Sequence, residues 1–139
     1  MRKLLLLIGF ALAFCLSAAG QKPPKIVSRN RVVQLDSFYL SKGADTTVVF
    51  HYRNEGDSAL VIRRMNPGCT CVVPTYSTQP LMPGDSTTFR ASFTPSHAGP
   101  FSQTITITYS TPGGSKLYIT RVGIKGTVLE EESCTSCEQ

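Results

Sequence analysis

Strict alternation of apolar and polar residues recurs along the middle of this chain. Three segments show it most clearly: TVVFHYR (residues 47–53), FRASF (89–93) and SQTITITYS (102–110). Because the side chains of a strand point alternately to its two faces, the pattern predicts β-strands with one buried face. The expected inward-facing residues are Val48, Phe50, Tyr52, Phe89, Ala91, Phe93, Ile105, Ile107 and Tyr109.

Turn sequences separate these segments at short intervals. NEGDS (54–58), PGDS (83–86) and PGG (112–114) combine proline, which fixes φ, with glycine, which accepts positive φ. Strands spaced in this way predict an all-β fold, an immunoglobulin-like β-sandwich of about seven strands. The predicted strands are Val32–Leu35, Thr46–Arg53, Ala59–Met65, Thr70–Val73, Ser86–Thr94, Phe101–Ser110 and Leu117–Val128.

The last predicted strand changes the parity of its apolar residues. Leu117 and Ile119 share one parity, whereas Val122 and Ile124 share the other. A single regular strand would place the two pairs on opposite faces. The sequence therefore predicts a bulge or a change of sheet near Thr120 or Arg121.

The first residues, MRKLLLLIGFALAFCLSAAG, have the features of a secretory signal peptide. Two positive charges precede a short apolar stretch, and small residues follow it at the expected cleavage site after Ala19 or Gly20. Bulky Phe14 before Cys15 argues against a lipoprotein signal. We expect an exported protein, periplasmic or extracellular, without a membrane span in the mature chain.

The predicted organisation has four parts. A signal peptide (1–20) precedes an extended N-terminal arm (21–30), a sandwich domain (31–128) and an acidic, cysteine-containing tail (129–139). The arm is basic and the tail is acidic. Because the basic residues are not concentrated with aromatic residues on one element, the sequence does not indicate nucleic-acid binding.

An ordered set of motifs resembles a known family. FHYRNEGDSALVI, GCTCVVP and LMPGDSTTFRASFTPSHAGPFSQTITI follow one another along the chain. They resemble the secreted bacterial proteins of the domain of unknown function 1573 family. The matching positions are Phe50, Asn54, Gly56, Leu60, Ile62, Cys69, Cys71, Pro83, Gly84, Asp85, Gly99 and Phe101.

This resemblance implies an immunoglobulin-like module of the major-sperm-protein and pilus-chaperone type, which binds other proteins through exposed strands or loops. One departure concerns the cysteine motif, because the family has Cys-Gly-Cys-Thr where this chain has Cys69-Thr-Cys71-Val. Threonine leaves the backbone less free than glycine, so a tight turn is less easily formed here.

The sequence predicts no enzyme and no cofactor. His51 lies on the outward face of a predicted strand, and His97 lies in a turn beside Pro95 and Gly99. Neither histidine belongs to a nucleophile motif, and no glycine-rich phosphate loop is present. Both are expected to be solvated surface residues.

The cysteines carry the concentrated reactive chemistry. Cys69 and Cys71 form a C-x-C pair, and Cys134 and Cys137 form a C-x-x-C pair in the tail. Cleavage of the signal would remove Cys15 and leave four of the five cysteines. An even number in an exported protein favours disulfides, although two thiolate pairs are also candidate ligands for zinc or copper. Thiol-redox chemistry is a third interpretation, and the pairing of the four cysteines stays open.

Three Asp-Ser or Asp-Thr sequences are candidates for O-glycosylation, since they resemble the acceptor sequences of secreted Bacteroides-type proteins. Their acceptors are Thr46, Ser58 and Ser86. Such dipeptides are also favoured in turns for their side-chain hydrogen bonds.

The preferred hypothesis from the sequence is a non-enzymatic binding module. Its partner would be another envelope or extracellular protein, bound at a strand edge or at the loops near Cys69. The alternative is a metal-handling or thiol-redox protein that uses the Cys69/Cys71 and Cys134/Cys137 pairs.

Overall fold

The computed structural model describes residues 20–39 and 46–130, which form nine strands and no helix. Residues 1–19, which contain nearly all of the predicted signal peptide, and the tail cysteines Cys134 and Cys137 lie outside the described residues. None of the described residues belongs to a helix that could span a membrane. The strands are β1 (Ile26–Ser28), β2 (Val32–Gln34), β3 (Phe38–Tyr39), β4 (Thr46–Asn54), β5 (Val61–Pro67), β6 (Val72–Thr75), β7 (Ser86–Phe93), β8 (Gly99–Ser110) and β9 (Tyr118–Leu129).

The strands form the two sheets of an immunoglobulin-like sandwich. One sheet has the order β1-β4-β7-β6, and the other has the order β2-β9-β8-β5, with β3 also paired to β9. The prediction of an all-β sandwich is confirmed, but the strand count of seven was too low. The two additional strands, β1 and β3, are three and two residues long, which is too short to show an alternating pattern.

The core lies between the two sheets. Every residue predicted to face inward in β4, β7 and β8 is buried, and Phe50, Ala91 and Ile105 are completely so. Phe50 stacks on Phe89 with ring centroids 4.7 Å apart, and Phe93 stacks on Phe101 at 4.2 Å. Aromatic rings from both sheets therefore interlock in the interior.

The bulge expected in the last strand is absent. The register of β9 with β8 is continuous from Tyr109↔Tyr118 to Gly99↔Val128. The strand keeps one parity because Leu117, just before it, and Ile119 remain on the surface, 60% and 61% exposed. Burying them would have required the expected irregularity, and the structure leaves them in solvent instead.

Asn54, at the end of β4, is completely buried and uses its whole amide group. Its Nδ2 donates to the carbonyls of Ser58 at 2.9 Å and Leu81 at 3.1 Å. Its Oδ1 accepts from the N–H of Gly56 at 3.1 Å and of Lys25 at 3.4 Å. One side chain thus joins the N-terminal segment, the 54–58 turn and the loop that carries Leu81.

The main chain of Asn54 fixes the turn that precedes β7. Its carbonyl accepts from Gly84 N at 2.8 Å, and its N–H donates to the carbonyl of Asp85 at 3.0 Å. Gly84 has φ of +83°, a conformation that side-chain-bearing residues rarely adopt. The Asn-x-Gly and Pro-Gly-Asp motifs, about 30 residues apart in the sequence, therefore form one hydrogen-bonded unit.

The segment before β1 packs directly on Gly56. A Cβ atom at Gly56 would lie 2.6 Å from Pro24 Cα, so only glycine allows this approach. The N–H of Glu55 donates to the carbonyl of Lys25 at 2.8 Å, and Lys22 N donates to Asp57 Oδ2 at 3.2 Å. Much of the segment predicted as an extended arm is consequently part of the sandwich.

We expect Phe93→Ala to lower the free energy of unfolding by about 3–5 kcal/mol, because the ring is 3% exposed and stacked on Phe101. Thr106→Ala, on the outer face of β8, is the control and should leave the free energy of unfolding nearly unchanged. A denaturant titration measures both. Equal losses from the two changes would mean that the faces of the sandwich are wrongly assigned.

Candidate functional site

The Cys69–Cys71 turn connects the two sheets at one side of the sandwich. It leaves β5, an edge strand of one sheet, and enters β6, an edge strand of the other. Gly68 N donates to the carbonyl of Thr104 at 2.8 Å, and the carbonyl of Cys71 accepts from Thr94 N at 2.9 Å. Hydrogen bonds to both sheets therefore fix the turn at its two ends.

The two cysteines are held close together within this turn. Their Cα atoms lie 5.2 Å apart, within the usual range for disulfides, and their Sγ atoms are in bonding contact. Both side chains are half-buried against the core, whereas Thr70 between them is exposed. Thr70 makes the turn with negative φ, so the missing family glycine does not prevent it. Oxidation of this pair stays a prediction.

A small cavity of about 190 Å³ lies beside the turn. Its lining includes Cys71 and His97 together with the rings of Phe93 and Phe101. The Oγ of Ser96 lies 2.9 Å from Nδ1 of His97. The sequence placed His97 on the surface, where it is exposed, but gave no sign that the 95–98 loop would meet Cys71.

The cysteine pair is not joined by further metal ligands in the described part of the chain. Among residues 20–39 and 46–130, no three His, Cys, Asp or Glu side chains are placed to hold one ion. Cys134 and Cys137, the other candidate ligands and disulfide partners, lie outside these ranges. Their pairing and any metal binding remain sequence-based predictions.

The open edge of β6 offers few main-chain donors. Cys71 O accepts from Thr94 N, so the main-chain groups of Cys71 point toward β7. Because these groups point alternately to the two sides of a strand, those of Val72 and Pro74 point away from β7. Pro74 has no N–H, so Val72 has the only outward-directed N–H in this strand. Proline on an edge strand is a common protection against unwanted pairing.

The open edge of β5 is interrupted in a similar way. Since Gly68 N bonds to Thr104 O, Pro67 lies in the outward-directed position and supplies no donor. The register with β8 also shifts between Ile62 and Arg64. The two prolines that flank the cysteine motif in the sequence thus weaken both edges on this side of the sandwich.

The opposite side of the second sheet ends in β2, which runs parallel to β9. Gly123 N donates to the carbonyl of Arg31 at 2.7 Å, and Leu35 N donates to the carbonyl of Lys125 in β9, also at 2.7 Å. By the same alternation, Val32 and Gln34 direct their N–H and C=O groups away from β9. No described residue hydrogen-bonds to these groups, and the Val32 side chain is 52% exposed.

The candidate glycosylation residues occupy different environments. Thr46 is the first residue of β4 and is half-buried, and Ser86 is the exposed first residue of β7. Ser58 is half-buried in the 54–58 turn, where its hydroxyl lies 3.5 Å from the carbonyl of Lys22. Modification of these residues remains a prediction.

The fold resembles that of immunoglobulin-like domains of the PapD type. A PapD-like domain of human CEP192 is similar with a TM-score of 0.65 and 12% identity, covering 79% of this chain and 89% of that one. A protein of unknown function from Porphyromonas gingivalis has a TM-score of 0.62 and 15% identity, covering 80% of this chain and 50% of that one. The chaperone YadV has a TM-score of 0.57 and 12% identity, over 81% of this chain and 54% of that one.

Residues 29–128 match the proteins of unknown function designated DUF1573, and the chain belongs to that family. The resemblance inferred from its motifs is therefore confirmed. No curated protein matches the sequence significantly. The chain spans about half the length of the Porphyromonas and YadV proteins, and at these identities the likeness concerns the fold.

We expect Cys69 and Cys71 to be disulfide-bonded to each other after export, because the turn holds them together. Non-reducing peptide mapping should find both in one peptide lighter by two hydrogen atoms than its reduced form. A bridge from either residue to Cys134 or Cys137 would contradict local pairing. Four thiols that are alkylated rapidly, and protected only by added zinc or copper, would favour the metal interpretation.

Proposed function

We propose that this chain is an exported, non-enzymatic module that binds another envelope or extracellular protein by strand addition at β2. In this mode an extended segment of the partner pairs with an open sheet edge. Main-chain hydrogen bonds supply affinity, and alternate side chains supply specificity. The proposal combines the export signal predicted from the sequence with the edge geometry of the sandwich.

The observation that carries the proposal is the unpaired edge of β2. Val32 and Gln34 present two N–H and two C=O groups that no described residue engages. The exposed side chain of Val32 lies beside them, and Tyr39 in β3 is 47% exposed further along the same edge. Backbone pairing groups and apolar surface therefore occur together.

The other edge strands offer fewer free main-chain N–H groups for strand addition. Pro67 and Pro74 remove donors from β5 and β6, as described above. In β1, the N–H of Ile26 already lies 3.4 Å from the hydroxyl of Tyr109, which leaves Ser28 with the remaining outward-directed N–H of that strand. Comparison of the four edges thus favours β2.

The structural neighbours agree with a protein partner. Several are periplasmic or fimbrial chaperones, and one is a chaperone in a pre-assembly complex with a tip adhesion subunit. Those proteins share the fold at low identity, and this chain covers only about half of their length. They support protein binding as a function class and do not identify the partner.

Thiol exchange is the second candidate function. The observation in its favour is that Cys71 and His97 line the same cavity. A neighbouring imidazole can take up or release the proton of a thiol during exchange. Retention of full partner binding by Cys69→Ser and Cys71→Ser variants would separate the binding function from this chemistry.

Site-specific photocrosslinking at Val32 tests the binding mode in the native envelope. We expect one defined partner to be captured, and Gln34→Pro should abolish capture because it removes an outward N–H without removing a hydrogen bond to β9. Gln34→Ala, which keeps the N–H, is the matched control. Both variants should unfold at similar denaturant concentrations.

Two results would contradict strand addition at β2. One is equal capture by the proline and alanine variants. The other is capture of the same partner with the same efficiency from a crosslinker at Thr75 on β6, an edge strand of the other sheet on the opposite side of the sandwich.

A further inference from the structure

The outer face of β1 and β4 carries an uneven ladder of charges. Three cross-strand pairs share this face: Lys25 with Glu55, Val27 with Arg53, and Arg29 with His51. The first pair has opposite charges. The second leaves Arg53 opposite an apolar residue, and the third places a guanidinium opposite an imidazole. Directly opposed side chains have Cβ atoms only about 4.5–5.5 Å apart, so the two side chains of each pair are close neighbours.

All of these residues except Lys25 line a groove of about 370 Å³ on the same face. Its lining includes Val27, Arg29, His51, Arg53, Glu55 and Ser86. Tyr52 also contributes, but its side chain is buried, and burial raises its pKa to about 12, so it brings no negative charge. Glu55, the carboxylate of the lining, is the cross-strand neighbour of Lys25 at one end of the groove.

The arginine in the middle of the groove is held in place. Nε of Arg53 donates to the carbonyl of Gly84 at 3.0 Å, in the turn that Asn54 fixes. Its terminal nitrogen atoms have no hydrogen-bonding partner among the described residues, and neither does the side chain of Arg29. Ser86, directly opposite Arg53 on β7, adds a hydroxyl. The guanidinium groups of Arg29 and Arg53 therefore line the groove together with the hydroxyl of Ser86, and the Glu55 carboxylate, next to Lys25, belongs to the same lining.

We propose that this groove binds a phosphate group. Guanidinium groups match phosphate oxygens in paired, charge-assisted hydrogen bonds. The groove supplies donors from Arg29, Arg53 and Ser86. A phosphate offers three or four oxygen atoms to them, whereas a carboxylate offers two. A bound phosphate would also offset the positive charges that Arg29 and Arg53 bring to one groove.

Titration of the isotopically labelled full chain, followed by NMR at constant ionic strength, tests this assignment. Inorganic phosphate and glucose 6-phosphate should shift the amide signals of Arg29, His51 and Arg53 in a saturable way, whereas acetate at equal concentration should not. Tighter binding of the sugar phosphate would identify an esterified phosphate as the ligand. Tighter binding of inorganic phosphate would identify free phosphate as the ligand. Both results support the site.

Arg29→Gln and Arg53→Gln should each weaken phosphate binding about tenfold, because each removes a charge-assisted contact. Arg90→Gln is the matched control, since Arg90 lies on the same sheet face but outside the groove, and it should change affinity less than twofold. Arg29 makes no side-chain hydrogen bond, so its variant remains informative if Arg53→Gln folds poorly. Equal weakening by Arg90→Gln, or acetate binding as tight as phosphate binding, would overturn the proposal.

Discussion

The side chain of Asn54 is the interaction on which the arrangement of this sandwich depends. It is completely buried, and each of its four hydrogen-bonding positions is used by a main-chain group. A buried amide is stable only when its groups are paired, because each unpaired group costs about 1–3 kcal/mol. No apolar residue of similar size can replace it. The network therefore specifies which segments meet as well as stabilising their contact.

Both proposed binding surfaces are built outward from this network. Asn54 and Gly56 hold the segment that leads into β1, and β1 places Arg29 opposite His51. The chain then crosses directly from β1 to β2, whose open edge is the proposed protein-binding strand. The Gly84 turn, also bonded to Asn54, fixes Arg53 in the groove. Both surfaces thus require a rigid attachment of the N-terminal segment. The cysteine turn lies on the opposite side of the sandwich and depends on other contacts.

Local patterns in the sequence predicted the long strands. The short strands and the contacts between distant segments depend on the folded structure, which local patterns do not reveal. The alternation in β4, β7 and β8 indicates buried faces because period two is a property of the strand itself. β1 was missed because its three residues are held by partners such as Asn54, 28 residues away from Ile26. The bulge was wrongly predicted because Ile119 is apolar yet exposed, which no local rule reveals. Pro67 and Pro74 did not enter the prediction from the sequence, although proline is typical of edge strands. The meeting of Cys71 with His97 and of Arg29 with His51 depends on the folded arrangement of the strands and loops.

Hydrogen exchange in an Asn54→Ala variant tests the central role of this residue most directly. Asn66, exposed on β5 without a side-chain hydrogen bond, provides the control Asn66→Ala. We predict that Asn54→Ala lowers the free energy of unfolding by at least about 2 kcal/mol and removes amide protection at Lys25 and Gly56 while Ile124 in β9 stays protected. Unchanged protection at Lys25, or a loss of stability no larger than that of Asn66→Ala, would contradict the account.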